Sequence, residues 1–245
     1  EFYEKVKDIV IFKSTSGATT SIPDYLERNK AVKENQVVYC VDKEGQASYV
    51  SMCKDQGLEV IFFDSSIDAH FIQFLESKDD KVKYVSVDSD LSDQLIDKDK
   101  ESTIVDPADN KTAGQKVVDI FKNILKDDKL TIKAEHLKSG DVSAVLLLSE
   151  QSRRFKQMSA MMQGAKMPGL EDFTLVINTN SPVIDNILSL SKARADSDKI
   201  GPLCNQVYDL AKLSQSPLSG DQMNAFIKRS NQLLGEITEN GPISE

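Results

Sequence analysis

Side chains able to do chemistry are few and scattered in this chain. Its two imidazoles are His70, within "DAHFIQF", and His136, within "KAEHLKSG". An imidazole can move protons near neutral pH or hold a metal ion, but a zinc site needs further Cys or His at ligand spacing, and neither histidine has any. Both are expected to be structural or surface residues. The stretch "STSGATTS" (14–21) resembles a phosphate-binding turn only in its Gly17. A Walker loop needs a second glycine followed by Lys and Ser or Thr, so that backbone amides and an ammonium surround the phosphates, and here those are missing. The stretch "DSDLSDQLIDKD" (88–99) alternates acids in the manner of a calcium loop. Asp93 stands where the sharp turn requires Gly, and no Glu closes the twelfth place, so a solvated loop is the expected reading. No Gly-x-Gly-x-x-Gly follows any predicted strand. No catalytic residue, metal ligand or cofactor-binding residue is assigned.

Charge narrows the partners. Thirty Lys and Arg against 39 Asp and Glu give a net charge of −9, which repels nucleic-acid phosphates. No run of about 18 apolar residues is present to cross a bilayer, and no charged-then-apolar leader opens the chain. Three cysteines, Cys40, Cys53 and Cys204, stand far apart in odd number, as expected of a reducing, cytoplasmic setting rather than a disulfide framework. The opening Glu1-Phe2, without an initiator Met, is expected of a piece of a longer chain.

The most distinctive stretch is "RRFKQMSAMMQGAKMPGLEDF" (153–173), which holds four of the six methionines. On a helix over about 150–164, Phe155, Met158 and Met162 share a face, with Met161 beside them, while Arg153, Arg154, Lys156 and Gln157 point elsewhere. Two arrangements satisfy that pattern. The methionine face packs into a core, or it forms an adaptable surface for apolar partners, because unbranched thioethers repack around different shapes.

The elements that must position these residues follow from periodicity. Apolar runs at 36–41, 58–63 and 81–87 alternate with helical patterns at 44–57 and 66–77, which predicts a small parallel βαβαβ layer covered on both faces. Ahead of it, Ser21, Pro23 and Asp24 mark the start of a helix over 23–30. A charged stretch poor in large apolar groups runs from Asp88 to Lys111. Within it a linker at 96–111 separates domains at 1–95 and 112–240. The second domain is predicted to be α+β: helix 112–126, strands 129–137, 143–149 and 172–179, and helices 181–193, 200–214 and 220–238.

The last two helices carry apolar residues at three-and-four spacing: Leu203, Val207 and Leu210 on one, Phe226, Ile227, Ser230, Leu233, Leu234 and Ile237 on the other. Such a hairpin either docks on its own subunit's strands or pairs with a second copy in a four-helix bundle. A small α/β ligand-binding module or enzyme using residues 36–86 is the alternative from a different functional class.

The segments "LSEQSRRFKQMSAMM", "FTLVINTNSPVI", "LCNQVYDLAKLSQSPLSGDQMNAFIKRSNQLLGEI", "TTSIPDYLERNK", "VVYCVDKEGQASYV", "GLEVIFFDSSIDAHFIQFLE" and "KYVSVDSDL" together resemble the bacterial heat-shock protein 90 chaperone family, over about 10–238. The resemblance implies the end of the middle domain followed by the C-terminal dimerisation domain. It implies a homodimer through a bundle of the last two helices, and a client-contact helix whose Phe155, Met158, Met161 and Met162 meet partly unfolded proteins. That favours the adaptable surface. ATP and Mg would belong to an N-terminal domain outside this chain, so neither nucleotide binding nor hydrolysis is expected here. The ending "ENGPISE" lacks the family's co-chaperone tail motif.

Overall fold

The structure is a computed structural model that describes residues 5, 7, 9–32, 34–63, 68–89, 95–100, 105–106, 110–149, 151–153, 172–193 and 197–239. The fold is mixed α and β, with helices set against several sheets. The chain divides into two compact units, Glu1–Lys98 with Leu147–Thr174, and Asp99–Leu146 with Leu175–Glu245.

In the first unit, strands β1 (Phe12–Ser14) and β2 (Thr19–Thr20) form an antiparallel hairpin. Its turn is closed by the Gly17 amide on Ser14 O at 3.2 Å, and Gly17 adopts φ 84°, a left-handed conformation that its missing Cβ permits. The polar turn expected at 14–21 therefore exists, but its flanks are strands. Helix α1 (Ile22–Asn29) starts at Ser21, whose hydroxyl accepts from the Asp24 amide at 3.2 Å. There follow β3 (Gln36–Cys40), α2 (Ala47–Asp55), β4 (Ile61–Phe62), α3 (Asp68–Lys78) and β5 (Lys83–Ser86). The strand order is β2-β1-β4-β3-β5, with β3 parallel to both β4 and β5, and β1 antiparallel to β4. The sheet is thus mixed, because the short hairpin adds two strands that carry no periodic signal. Val37 to Cys40 are all buried, as a strand covered on both faces requires. Tyr25, Tyr39, Ile61, Phe63, Leu75 and Tyr84 form the centre of this core.

The charged stretch contains a single 3-10 turn at Lys98–Lys100 and a two-residue hairpin of β6 (Val105–Asp106) and β7 (Lys111–Thr112). The second unit then builds on helix α4 (Ala113–Leu125). A capping box fixes its start: the Gln115 amide donates to Thr112 Oγ1 at 3.1 Å, and the Thr112 amide to Gln115 Oε1 at 2.8 Å. A Cβ on Gly114 would lie 3.4 Å from Ala134 Cβ, so this glycine sets how closely the helix approaches its strand. Strands β8 (Thr131–Glu135), β9 (Ala144–Leu148) and β10 (Phe173–Asn178) form a sheet in the order β8-β10-β9. Along β9 every residue is buried, and the Gln215 side-chain amide donates to Leu146 O at 2.8 Å. Helices α5 (Pro182–Ala193), α6 (Ser197–Leu213) and α7 (Gly220–Glu239) complete the unit, with α6 packed on α4, α5 and α7. Phe121, Leu146, Leu175, Ile177, Ile184 and Cys204 are buried among these elements. No helix among the described residues is long and apolar enough to cross a membrane.

Candidate functional site

In the first unit, β3 lies between β4 and β5, so the connections beyond its carboxyl end diverge. That is where open α/β sheets hold ligands. Here the position is filled by the chain itself. The buried Gln46 side chain accepts from the amides of Val41 and Asp42 at 2.9 and 3.1 Å and donates to Ser86 Oγ at 3.0 Å. Ser86 in turn donates to Asp88 Oδ1 at 2.6 Å, and the Leu148 amide donates to Asp88 O at 3.0 Å. These groups hold one another with the hydrogen bonds that a bound molecule would otherwise make.

Residues 149–153 join the same place. Ser149 caps a helical turn, with its hydroxyl accepting from the Ser152 amide at 3.2 Å and the Arg153 amide donating to Ser149 O at 2.9 Å. Arg153 is only 4% exposed. Its guanidinium donates to Tyr39 Oη, and Cζ lies 5.0 Å from the centre of the Tyr39 ring. Sequence reading placed Arg153 on the solvated face of a basic helix. The structure buries it, because the aromatic face and hydroxyl of Tyr39 together accommodate a planar cation. An adjacent Arg154 made the pair look like an ordinary basic run, and no local signal distinguished them. Phe155, Met158, Met161 and Met162 lie outside the described residues.

In the second unit, a cleft of about 600 Å³ opens beside the start of α4, lined in part by Lys111, Gln115, Asp119, Glu135, His136 and Thr179. His136 Nδ1 stands 3.2 Å from Thr179 Oγ1, the spacing of a base and a hydroxyl nucleophile. Two features weigh against that use. Thr179 Oγ1 is also 3.3 Å from Glu135 O, and His136 Nε2 is buried with no hydrogen-bond partner among the described residues, so no acid orients the ring. Among the described residues no group of three His, Cys, Asp or Glu converges to hold a metal ion. His70 falls on α3. All three cysteines are buried, and burial pushes their thiols up to about 11 for Cys40 and about 12 for Cys53 and Cys204.

The terminal hairpin carries a different kind of site. Its predicted stripe divides into two sets. Val207 is 3% exposed, Leu203, Phe226 and Leu233 are half-buried, and Ser230 accepts from Gln206 at 2.9 Å within the hairpin. Leu210, Ile227, Leu234 and Ile237 instead face water, at 51, 49, 59 and 70% exposure. Between the two helices Arg229 binds Asp209 and donates to Gln206 Oε1 at 3.0 Å, which fixes their relative rotation. The hairpin is therefore internally satisfied and still presents large aliphatic side chains outward.

A binding face without catalytic groups on a two-unit α/β scaffold agrees with the comparisons to known proteins. A family model described as Hsp90 protein matches residues 1–241, and the chain belongs to the heat-shock protein 90 family. Chaperone protein HtpG of Porphyromonas gingivalis is 31% identical over 202 residues, covering 78% of this chain and 29% of the relative. HtpG of Bacteroides thetaiotaomicron is 27% identical over 306 residues, covering 96% of this chain and 44% of the relative. HtpG of Shouchella clausii is 28% identical over 223 residues, covering 86 and 33%. The chain spans less than half the length of these relatives.

Proposed function

We propose that this chain is the C-terminal half of an ATP-dependent bacterial chaperone, acting in the cytoplasm, that supplies homodimerisation and a surface for partly unfolded clients. No catalytic step is assigned to its residues; ATP and Mg belong to the nucleotide chemistry of the whole protein. In this reading residues 1–95 end the middle domain, 96–111 link, and 112–240 dimerise.

The observation that carries the reading is the outward stripe of Leu210, Ile227, Leu234 and Ile237. Exposed aliphatic groups in a row on a helical hairpin are costly in water, and two-fold apposition of two hairpins as a four-helix bundle removes both stripes from solvent. Family membership supports the same arrangement, and the helical spacing of Phe155, Met158, Met161 and Met162 supports the client surface.

Sedimentation across a dilution series tests the dimer. A mass of two chains that persists on dilution is the expected result, and one chain at every concentration overturns it. Capture of a fluorescent globular protein, held unfolded by carboxymethylation of its cysteines, tests the client face. Met158→Ser with Met162→Ser should weaken capture while the urea midpoint stays in place; an unchanged capture sinks that half of the proposal.

A further inference from the structure

The first unit contains a place where the chain acts as its own ligand. At the carboxyl ends of β3 and β5, Leu148 binds Asp88 through its amide, Ser149 caps the turn that follows, and Arg153 ends against the Tyr39 ring and hydroxyl. Tyr39 is itself held from behind by Phe63, edge-to-face at 5.5 Å between ring centres and 85° between planes. A second clamp acts on the other side of the turn. The Asp172 amide donates to Ser152 Oγ at 3.1 Å, and the Ser149 amide to Asp172 O at 3.2 Å. Both ends of the methionine-rich stretch are thereby tied together at its root.

A buried guanidinium is a demanding anchor. Removing a cation from water is worthwhile structurally only where geometry is well defined, and the usual return is specificity of arrangement rather than stability. Surface basic residues would serve solubility equally well. The burial of Arg153, one turn after the Ser149 cap, fixes the direction in which the chain leaves the first unit.

We propose that Arg153, through Tyr39, is a positioning residue that sets the direction of the methionine-rich stretch, so that its apolar face is presented to clients in one orientation. The proposal rests on the client-contact reading above. Loss of the anchor leaves the stretch attached but populating several directions. If about one molecule in ten then presents the face correctly, apparent affinity falls about tenfold.

The test uses this 245-residue chain with Tyr39→Phe, which removes one oxygen and keeps the ring, and Arg153→Met, which keeps length and loses the donors. A nitroxide on Gln157→Cys reports local motion, and the three native thiols are buried and raised, so labelling is selective. Urea midpoints establish that each variant is folded. The expected result is a more mobile nitroxide in both variants and about tenfold weaker capture of the carboxymethylated probe. That loss should vanish in the Met158→Ser, Met162→Ser background, since an anchor that acts through the methionine face has nothing left to present. Unchanged nitroxide spectra overturn the anchor. Equal loss of capture in both backgrounds overturns the positioning role. Full capture by the methionine variants alone sinks the client-contact reading and the positioning role with it, and the nitroxide spectra show separately whether the anchor holds.

Discussion

The carboxylate of Glu59 and the guanidinium of Arg28, 31 residues apart in sequence, meet at 2.9 Å. Glu59 also accepts from Ser14 Oγ at 2.6 Å and Asn29 Nδ2 at 3.0 Å, so one side chain ties the hairpin turn to α1 beside β4. Burial opposes its ionised form, but the hydrogen bonds from Arg28, Ser14 and Asn29 prevail and hold its carboxyl below the usual carboxylate range.

A depressed carboxyl stabilises the fold fully above the unfolded value, about 4.3, and loses that contribution as pH falls through the folded one. Glu59→Gln should therefore cost about 1–3 kcal/mol at neutral pH, the range for hydrogen bonds to a charged group. Urea unfolding at pH 7 and pH 3 checks this. The gap between parent and variant should close in acid, and a gap that stays constant would show that ionisation of Glu59 contributes nothing.

Ile227→Asp with Leu234→Asp is the sharper version of a dimer test. Both positions are about half exposed in the single subunit, so the fold should change by no more than about 0.5 kcal/mol. Sedimentation should nonetheless report a single chain, because two charges per subunit would be buried at the two-fold interface. Phe226 and Leu233 are less informative targets, being half-buried within their own hairpin.

Lys126 ends α4 with φ 48°, a left-handed conformation costly for any residue with a Cβ, while its amide donates to Lys122 O at 3.1 Å. Lys126→Gly should raise stability by about 0.5 kcal/mol, the relief of strain being partly offset by the greater freedom of glycine in the unfolded chain. A lower urea midpoint would show that the lysine side chain contributes something its backbone angle conceals.

Much of this architecture was legible because local chemistry and periodicity agreed. Ser21 with Pro23 and Asp24 marked a helix found at Ile22–Asn29, and the apolar spacing of Val117, Val118, Phe121 and Leu125 marked one found at Ala113–Leu125. The β1–β2 hairpin was not legible, since strands of three and two residues are too short to show alternation. The terminal stripe was visible as a stripe, but three-and-four spacing cannot say which members face a sister helix. Val207 turned inward and Leu210, half a turn or so further round, turned outward. Arg153 was misplaced for a related reason. Its surroundings are set by Tyr39, 114 residues earlier, and no window around Arg153 contains that information.

One contact in the second unit bears on how this protein fails. Strand β9 is five buried aliphatic residues, "AVLLL", lying at the outside of its sheet, and Gln215 reaches it just beyond the end of α6. An uncharged aliphatic strand with a free side is a template for amyloid-like pairing between molecules. Gln215 thus acts as a gatekeeper, and its release when the end of α6 frays on heating would turn a folding subunit into a seed for its own aggregation.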